Sequence, residues 1–279
     1  MESAKEISKK SKSSFYYAFN LLPPPKRDAM NTVYAFCRET DDIVDEGLDN
    51  KDSKYQRLLS WRRELEQAML NRSQYPLLNT LAGTIQQFNI PIHHFFDLIR
   101  GMEMDLSQNR YETFEELRLY CYRVASTVGM MCIEIFGYKH ESAKAFAENL
   151  GIALQLTNII RDVNKDAQKD RIYIPREDLH LFDYSESDLF NRVYNVKFIQ
   201  LMEYQAERAK HYFNLATENL ALDDKGSMFA ARAMQHIYFR TLERIIQAKY
   251  DVFNNNIKIS KFEKVGISLG VWAKYSLVY

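Results

Sequence analysis

Gln155, Asn158, Asp162 and Asp166 stand three, four and four residues apart in the otherwise mostly apolar stretch Gly151-Ile-Ala-Leu-Gln-Leu-Thr-Asn-Ile-Ile-Arg-Asp-Val-Asn-Lys-Asp166. At about 100° per residue this spacing gathers all four on one face of a helix and leaves Leu154, Leu156, Ile159, Ile160 and Val163 to pack elsewhere. A second stretch repeats the device, with Tyr34, Arg38, Asp41 and Asp45 recurring at four, three and four. The chain is therefore expected to be built from helices, two of which turn carboxylates toward one another.

Carboxylate oxygens are hard ligands suited to Mg²⁺, which binds through one or two carboxylates and completes its shell with water and substrate phosphates. Two opposed pairs predict a metal-bridged diphosphate site with Asp41, Asp45, Asp162 and Asp166 as ligands. A single aspartate more often solvates a helix surface, but two four-residue spacings, each accompanied by an arginine (Arg38, Arg161), outweigh that reading. No Ser/His/Asp arrangement, glycine-rich nucleotide loop or zinc spacing competes with them. Facing one cavity, the four charges are expected to repel one another in the metal-free protein, so that removing any one relieves strain.

The remaining sequence bounds the answer. Lys+Arg and Asp+Glu both total 37, a net charge of +0, so the basic field that drives nucleic-acid binding is lacking and no nucleic-acid partner is expected. Cys37, Cys121 and Cys132 show no CxxC spacing and read as reduced core thiols of a cytoplasmic protein. The first twelve residues lack the apolar segment of a secretory signal, and no continuous run of eighteen apolar residues suggests a transmembrane helix. With no linker, repeat or low-complexity break, the 279 residues are expected to form a single all-α domain, 1–279, large enough to enclose an apolar cavity. Helical patterns run over about 53–70, 76–88, 91–105, 114–137, 142–166, 188–219 and 226–255, with a terminal helix after Phe262. Gly129 lies inside one of them at a cost of about 1 kcal/mol relative to Ala, which close packing or room for a ligand must offset.

At its acidic stretches the chain resembles the squalene/phytoene synthase family of head-to-head prenyl transferases. Asp41-Asp-Ile-Val-Asp45 is similar to the family's first acidic motif and Gln155 to Asp166 to its second. Ser14-Phe-Tyr-Tyr-Ala-Phe19, Tyr120-Cys-Tyr-Arg-Val-Ala-Ser-Thr-Val-Gly129 and Arg171-Ile-Tyr-Ile-Pro-Arg176 add further matches in the family's order. Chain-elongating transferases and terpene cyclases share a motif like the first, but no second Asp-Asp-x-x-Asp and no Asn/Ser/Glu metal triad accompanies it here. A non-catalytic helical subunit is disfavoured because an unused carboxylate cluster would only destabilise it.

The resemblance implies an isoprenoid synthase bundle around a central cavity, with Tyr34, Arg38, Asp41, Asp45, Gln155, Asn158, Asp162, Asp166, Tyr173 and Tyr238 in the reaction. It implies substrate contacts from Ser14, Phe15, Phe19, Arg38, Tyr122, Val124, Gly129, Asn158, Arg161 and Arg171. Arg171 and Tyr173 are expected on a lid-like loop over the acids. Mg²⁺ is the implied cofactor; NADPH is left open, because relatives that use it lack a dinucleotide fingerprint. The motifs favour two farnesyl diphosphates joined through presqualene diphosphate to a squalene-type product, with two geranylgeranyl diphosphates as the alternative. A peripheral contact with the inner face of the membrane, through the terminal helix, is the weaker expectation. One departure stands out: where many relatives carry arginines after Tyr250-Asp-Val-Phe253, this chain has Asn254, Asn255 and Asn256, with Lys258 and Lys261 following.

Overall fold

Pro23, Pro24 and Pro25 end one helical stretch and open the next, since proline fits a first turn whose N–H groups have no intrahelical acceptor. In the computed structural model, which describes residues 18–45 and 50–276, helix α1 accordingly spans Pro24–Asp45 and buries Ala29, Val33, Phe36 and Ile43. Helix α2 (Lys51–Ala68) starts where the Asn50 side chain accepts the Ser53 N–H at 2.8 Å. Helices α3 (Pro76–Phe88) and α4 (His93–Ser107) follow close to their expected limits. Phe36 stacks on Trp61 and meets Phe95 edge-on, with centroids 5.9 and 5.3 Å apart, and the Trp61 indole donates to Thr40 Oγ1 at 2.9 Å. These contacts fix α1 against α2 and α4.

The apolar pattern from Phe114 to Gly137 is not one regular helix. Helix α5 (Phe114–Cys121) passes through a single π turn, Tyr122–Ser126, into α6 (Thr127–Phe136). Helix α7 (Ser142–Gln168), the carrier of the second acidic stretch, packs across this turn. A Cβ at Gly151 would lie 2.4 Å from Ser126 Cα, and one at Gly129 2.9 Å from the Ala147 carbonyl oxygen. Both glycines are therefore required by backbone approach. By length and composition Phe114–Phe136 also satisfies the criterion for a membrane span, with mean hydropathy 1.2, against the expectation drawn from the lack of a continuous apolar run. Its charges cluster at the start, so that the eighteen residues from Leu119 to Phe136 hold only two, Arg123 and Glu134. Half of that window is buried inside the bundle, and packing against α4 and α7 accounts for its apolar character.

Beyond α7 lie two short helices, α8 (Arg176–Leu181) and α9 (Glu186–Phe190), then α10 (Val196–Asn219), a 3₁₀ turn at Leu222–Asp224, α11 (Phe229–Gln247) and α12 (Lys261–Ser276). The expected helix 188–219 is thus split. Ser185 and Asp188 form a capping box that starts α9, and Asn195 caps α10 by accepting the Phe198 N–H at 3.0 Å. The expected helix 226–255 stops at Gln247 because Lys249 and Tyr250 take left-handed backbone, φ 53° and 63°. No strand occurs among the described residues; β pairing is limited to a bridge between Arg110 and Ile172. Buried apolar side chains form one cluster running from Ala18 to Tyr275, with α7 touching α5, α6, α9, α10 and α11. All three thiols are unoxidised, and burial pushes that of Cys132 up to about 12.

Candidate active site

Helix α1 carries Asp41 and Asp45, and α7 carries Asp162 and Asp166, to the same end of the bundle. Between them sits a fifth acid that spacing did not single out, Asp105 on α4, whose charge is felt by both Asp41 and Asp166. Asp41 is raised to about 6 by burial and by Asp45, against the pull of Arg38. Asp166 is raised to about 7 by burial and by Asp162. Asp162 differs: burial alone would raise it, but hydrogen bonds from Arg161 and Lys165 hold it below its ordinary value. Each arginine expected at the site is engaged by a carboxylate. Arg38 reaches Asp41 at 3.1 Å, Arg171 reaches Asp45 at 3.1 Å, and Arg161 pairs with Asp162. Burial and a like-charged neighbour thus outweigh the cations at Asp41 and Asp166, whereas the cations prevail at Asp162.

Asp105 lies half-buried beneath tyrosines. Tyr173 donates to its Oδ1 at 2.8 Å and Tyr120 to its Oδ2 at 3.0 Å. The Tyr120 and Tyr173 rings stack 5.1 Å apart, with Tyr111 stacked on Tyr173 at 5.9 Å. Burial still raises the Asp105 carboxyl, against Arg171 and the two hydroxyls. Tyr120 and Tyr173 both stand in stretches that resemble family motifs; the signal for Asp105 would have been an acid between Met104 and Leu106 held by distant tyrosines, which spacing does not reveal. The segment expected as a lid is laced down. Ile172 N–H donates to the Asn109 carbonyl at 3.0 Å, Arg176 N–H to that of Tyr111 at 2.9 Å and Glu177 N–H to that of Glu112 at 3.1 Å. Arg110 clasps Asp170 at 2.7 Å and Glu186 at 2.9 Å.

Inward from the acids lies a cavity of about 1030 Å³ of atom-free space, its mouth included. Phe19, Tyr34, Val124, Gly129, Gln155, Asn158 and Tyr238 line it, together with Val33, Phe136, Phe146 and Met234, which sequence reasoning assigned to no site. Asn158 points its amide nitrogen at Gln155 Oε1, 3.4 Å away, and hydrogen-bonds Tyr238, while its buried Oδ1 has no partner. Tyr122 is not among the lining residues; within the π turn it lies near Glu148 and Asp97. Ser14 and Phe15 fall outside the described residues.

Arg161 belongs instead to an adjoining polar cleft, with Lys165, Tyr238, Lys258 and Lys264. Asp162 and Asn254 to Asn256 line its continuation. Asn254 and Asn255 are tied to Asp251 by side-chain hydrogen bonds of 2.9–3.1 Å, so these asparagines build a turn. Arg244 holds the Lys258 carbonyl and the Glu263 carboxylate. Lys264 is lowered by burial and by Arg161. Lys261 is exposed and lines neither part of the cleft.

Among the described residues no three His, Cys, Asp or Glu side chains converge into a preformed metal cage. The donors at hand are carboxylate pairs and the orphaned amide oxygen of Asn158. That set fits a hard divalent cation whose shell is completed by phosphate oxygens and water, and the raised Asp41 and Asp166 are groups whose ionisation a cation would favour.

The family model for squalene/phytoene synthase matches residues 8–263. The chain is 36% identical over 281 residues to the phytoene synthase of Arthrospira platensis, covering 95% of this chain and 89% of that protein. It is 36% identical over 276 residues to 15-cis-phytoene synthase of Synechococcus elongatus, with the same coverage. Its fold is similar to the crystal structure of a dehydrosqualene synthase in complex with ligand, at TM-score 0.86 and 30% identity, covering 99% and 96% of the two chains. It is also similar to squalene synthase from Alicyclobacillus acidocaldarius, at TM-score 0.79 and 26% identity, covering 88% and 94%.

Proposed function

Because the chain belongs to the squalene/phytoene synthase family and is thus a prenyl transferase of the isoprenoid synthase fold, we propose that it joins two geranylgeranyl diphosphates head to head, releasing diphosphate. The observation that carries this reading is the apolar cavity opening under two facing carboxylate pairs on α1 and α7. The choice of prenyl chain follows the phytoene synthases at 36% identity. It reverses the order drawn from the motifs, which put farnesyl diphosphate first. The farnesyl reading stays as the second, on the similarity to dehydrosqualene synthase.

Asp41, Asp45, Asp162 and Asp166 would hold Mg²⁺, which when bound neutralises charge on the leaving diphosphate. Arg38 and Arg171 exchange their carboxylate partners for diphosphate oxygens, a charge-assisted contact stronger than a neutral hydrogen bond. Their departure frees Asp41 and Asp45 as ligands. The second diphosphate lies against Arg161, Lys165, Lys258 and Lys264, so that the lysines supply charge where many relatives have arginines. Loss of the first diphosphate leaves an allylic cation in the cavity. The Tyr34, Phe19 and Tyr238 rings stabilise it by about 0.5–2 kcal/mol each, and the apolar walls keep water from it. Attack by the second chain's double bond, with loss of a proton to the released diphosphate, closes a cyclopropyl diphosphate, and departure of its diphosphate followed by loss of a second proton gives phytoene.

The test is to incubate the purified protein and Mg²⁺ with each prenyl diphosphate, with and without NADPH, and identify the products. Phytoene from geranylgeranyl diphosphate, unaffected by NADPH, is expected. A faster reaction of farnesyl diphosphate would make the second reading the correct one. Lys264→Ala should raise KM by about tenfold, as one lost charge-assisted contact does.

A further inference from the structure

The chain enters α12 through Ser260-Lys-Phe-Glu263, the pattern of a capping box in which the glutamate reaches back to the N–H of the serine. Half of that box is made: Ser260 Oγ accepts the Glu263 N–H at 3.2 Å. For the other half the Glu263 carboxylate is turned elsewhere. It faces α11, where Arg244 holds one oxygen and Arg240 stands 3.3 Å from the other. The same Arg244 guanidinium donates to the Lys258 carbonyl, so α11 fastens both the segment before α12 and its first turn. Apolar packing does not do this work, since Phe262 is 92% exposed and full burial within α12 begins only at Ser268 and Val271.

The residue beside Glu263 shows what the fastening achieves. Lys264 lies part-buried in the cleft with Arg161, Lys165 and Lys258, and burial and the Arg161 charge both lower it. Asp162 already engages Arg161 and Lys165, and among the described residues no carboxylate pairs with Lys264. A lysine at the start of a surface helix ordinarily extends into water, away from like charge. Here it is kept beside an arginine. Consecutive helix residues diverge by about 100°, so anchoring Glu263 fixes the rotation of the first turn and with it the direction of Lys264.

We propose that Glu263 is a positioning residue for this cleft: pinned by Arg240 and Arg244, it orients the first turn of α12 so that the Lys264 ammonium faces Arg161 before any anion arrives. A cationic seat organised in advance binds a diphosphate without first having to gather flexible side chains. Glu263 touches neither substrate nor metal and acts through Lys264. The inference rests on the reading of this cleft as the seat of the second diphosphate and holds for either prenyl chain length.

The test is calorimetric titration of the full chain with inorganic diphosphate in the absence of metal, which leaves the acidic pairs without a cation and reads the basic cleft. Steady-state kinetics follow, with Mg²⁺ and whichever prenyl diphosphate turns over faster. Lys264→Ala should weaken diphosphate binding about tenfold. Glu263→Gln keeps the side chain's shape and can complete the capping box, so the melting temperature should hold. It should weaken diphosphate binding about three- to tenfold and raise KM to the same extent, with kcat within about twofold of the parent. The double variant should bind within about twofold of Lys264→Ala alone, because a positioning residue then has nothing left to position. Glu243→Gln removes only the other partner of Arg240, at 3.0 Å, and as the control should change none of these. Full additivity in the double variant, or a fall in kcat or melting temperature with KM unchanged, assigns Glu263 a structural part and overturns the proposal. So does parental affinity in Glu263→Gln where Lys264→Ala is weakened. Parental affinity in Lys264→Ala itself overturns the reading of the cleft as a diphosphate seat, and this inference with it.

Discussion

Two aspartates four or more residues apart on facing helices look equivalent in a sequence, yet their surroundings separate them. Asp166, near 7 against an ordinary 3.8, holds its proton more tightly in the folded protein than in the unfolded chain. Its contribution to stability is therefore complete below about pH 4 and is lost as pH rises through 7. Asp166→Asn, neutral at every pH, should leave the metal-free melting temperature unchanged at pH 4 and raise it progressively toward pH 8. The full shift would amount to about 4 kcal/mol, and screening at a partly open site reduces that to about 1–2 kcal/mol. Asp45→Asn should act in the opposite direction, losing about 0.5–1 kcal/mol, because Arg171 and Lys169 contact its carboxylate at 3.1 and 3.6 Å. Both variants should lose turnover by at least about a hundredfold, the scale set by removing one electrostatic contact in a catalytic site. Equal thermal responses of the two would contradict this division of the acids.

At the scale of elements, the acidic faces of α1 and α7 were legible because 3.6-residue periodicity is a local property that tertiary packing had no cause to override. The split of the expected 188–219 helix was legible too, in the capping residues Ser185, Asp188 and Asn195, which the apolar pattern masked. The π turn was not. A π turn inserts a residue without breaking the run of apolar positions, so Tyr122 to Ser126 reads like any other turn of helix. Asp105 was illegible for a different reason: its tyrosine partners are 15 and 68 residues away. The π turn carries its own prediction. Since a Cβ on Gly151 meets Ser126 backbone at 2.4 and 2.5 Å, Gly151→Ala should destabilise the protein by about 1–3 kcal/mol despite the better helix propensity of Ala. Chemical denaturation would read it. Gly83→Ala, with open space around it, is the matched control and should be neutral or stabilising.

For the whole molecule, the pairing of each site arginine with a carboxylate couples the two ligands to each other. On the proposed reading, diphosphate would draw Arg38 and Arg171 away from Asp41 and Asp45, and the freed acids would then favour a cation. Mg²⁺ and inorganic diphosphate together should therefore raise the melting temperature by more than the sum of their separate effects, and Asp162→Ala should remove the excess. A purely additive response would argue against a shared site. The stitched segment around Ile172 bears on a different matter, the time course of a catalytic cycle. A strip fastened by backbone bonds along one margin and by Arg110 across it is part of the vessel wall, so on the proposed reaction substrates would enter and a long hydrocarbon would leave by some other edge. Hydrogen exchange reads this directly: the amides of Ile172, Arg176 and Glu177 should exchange as slowly as those in the middle of α7, with or without diphosphate. Fast exchange that slows only when ligand is added would mean that the strip swings after all.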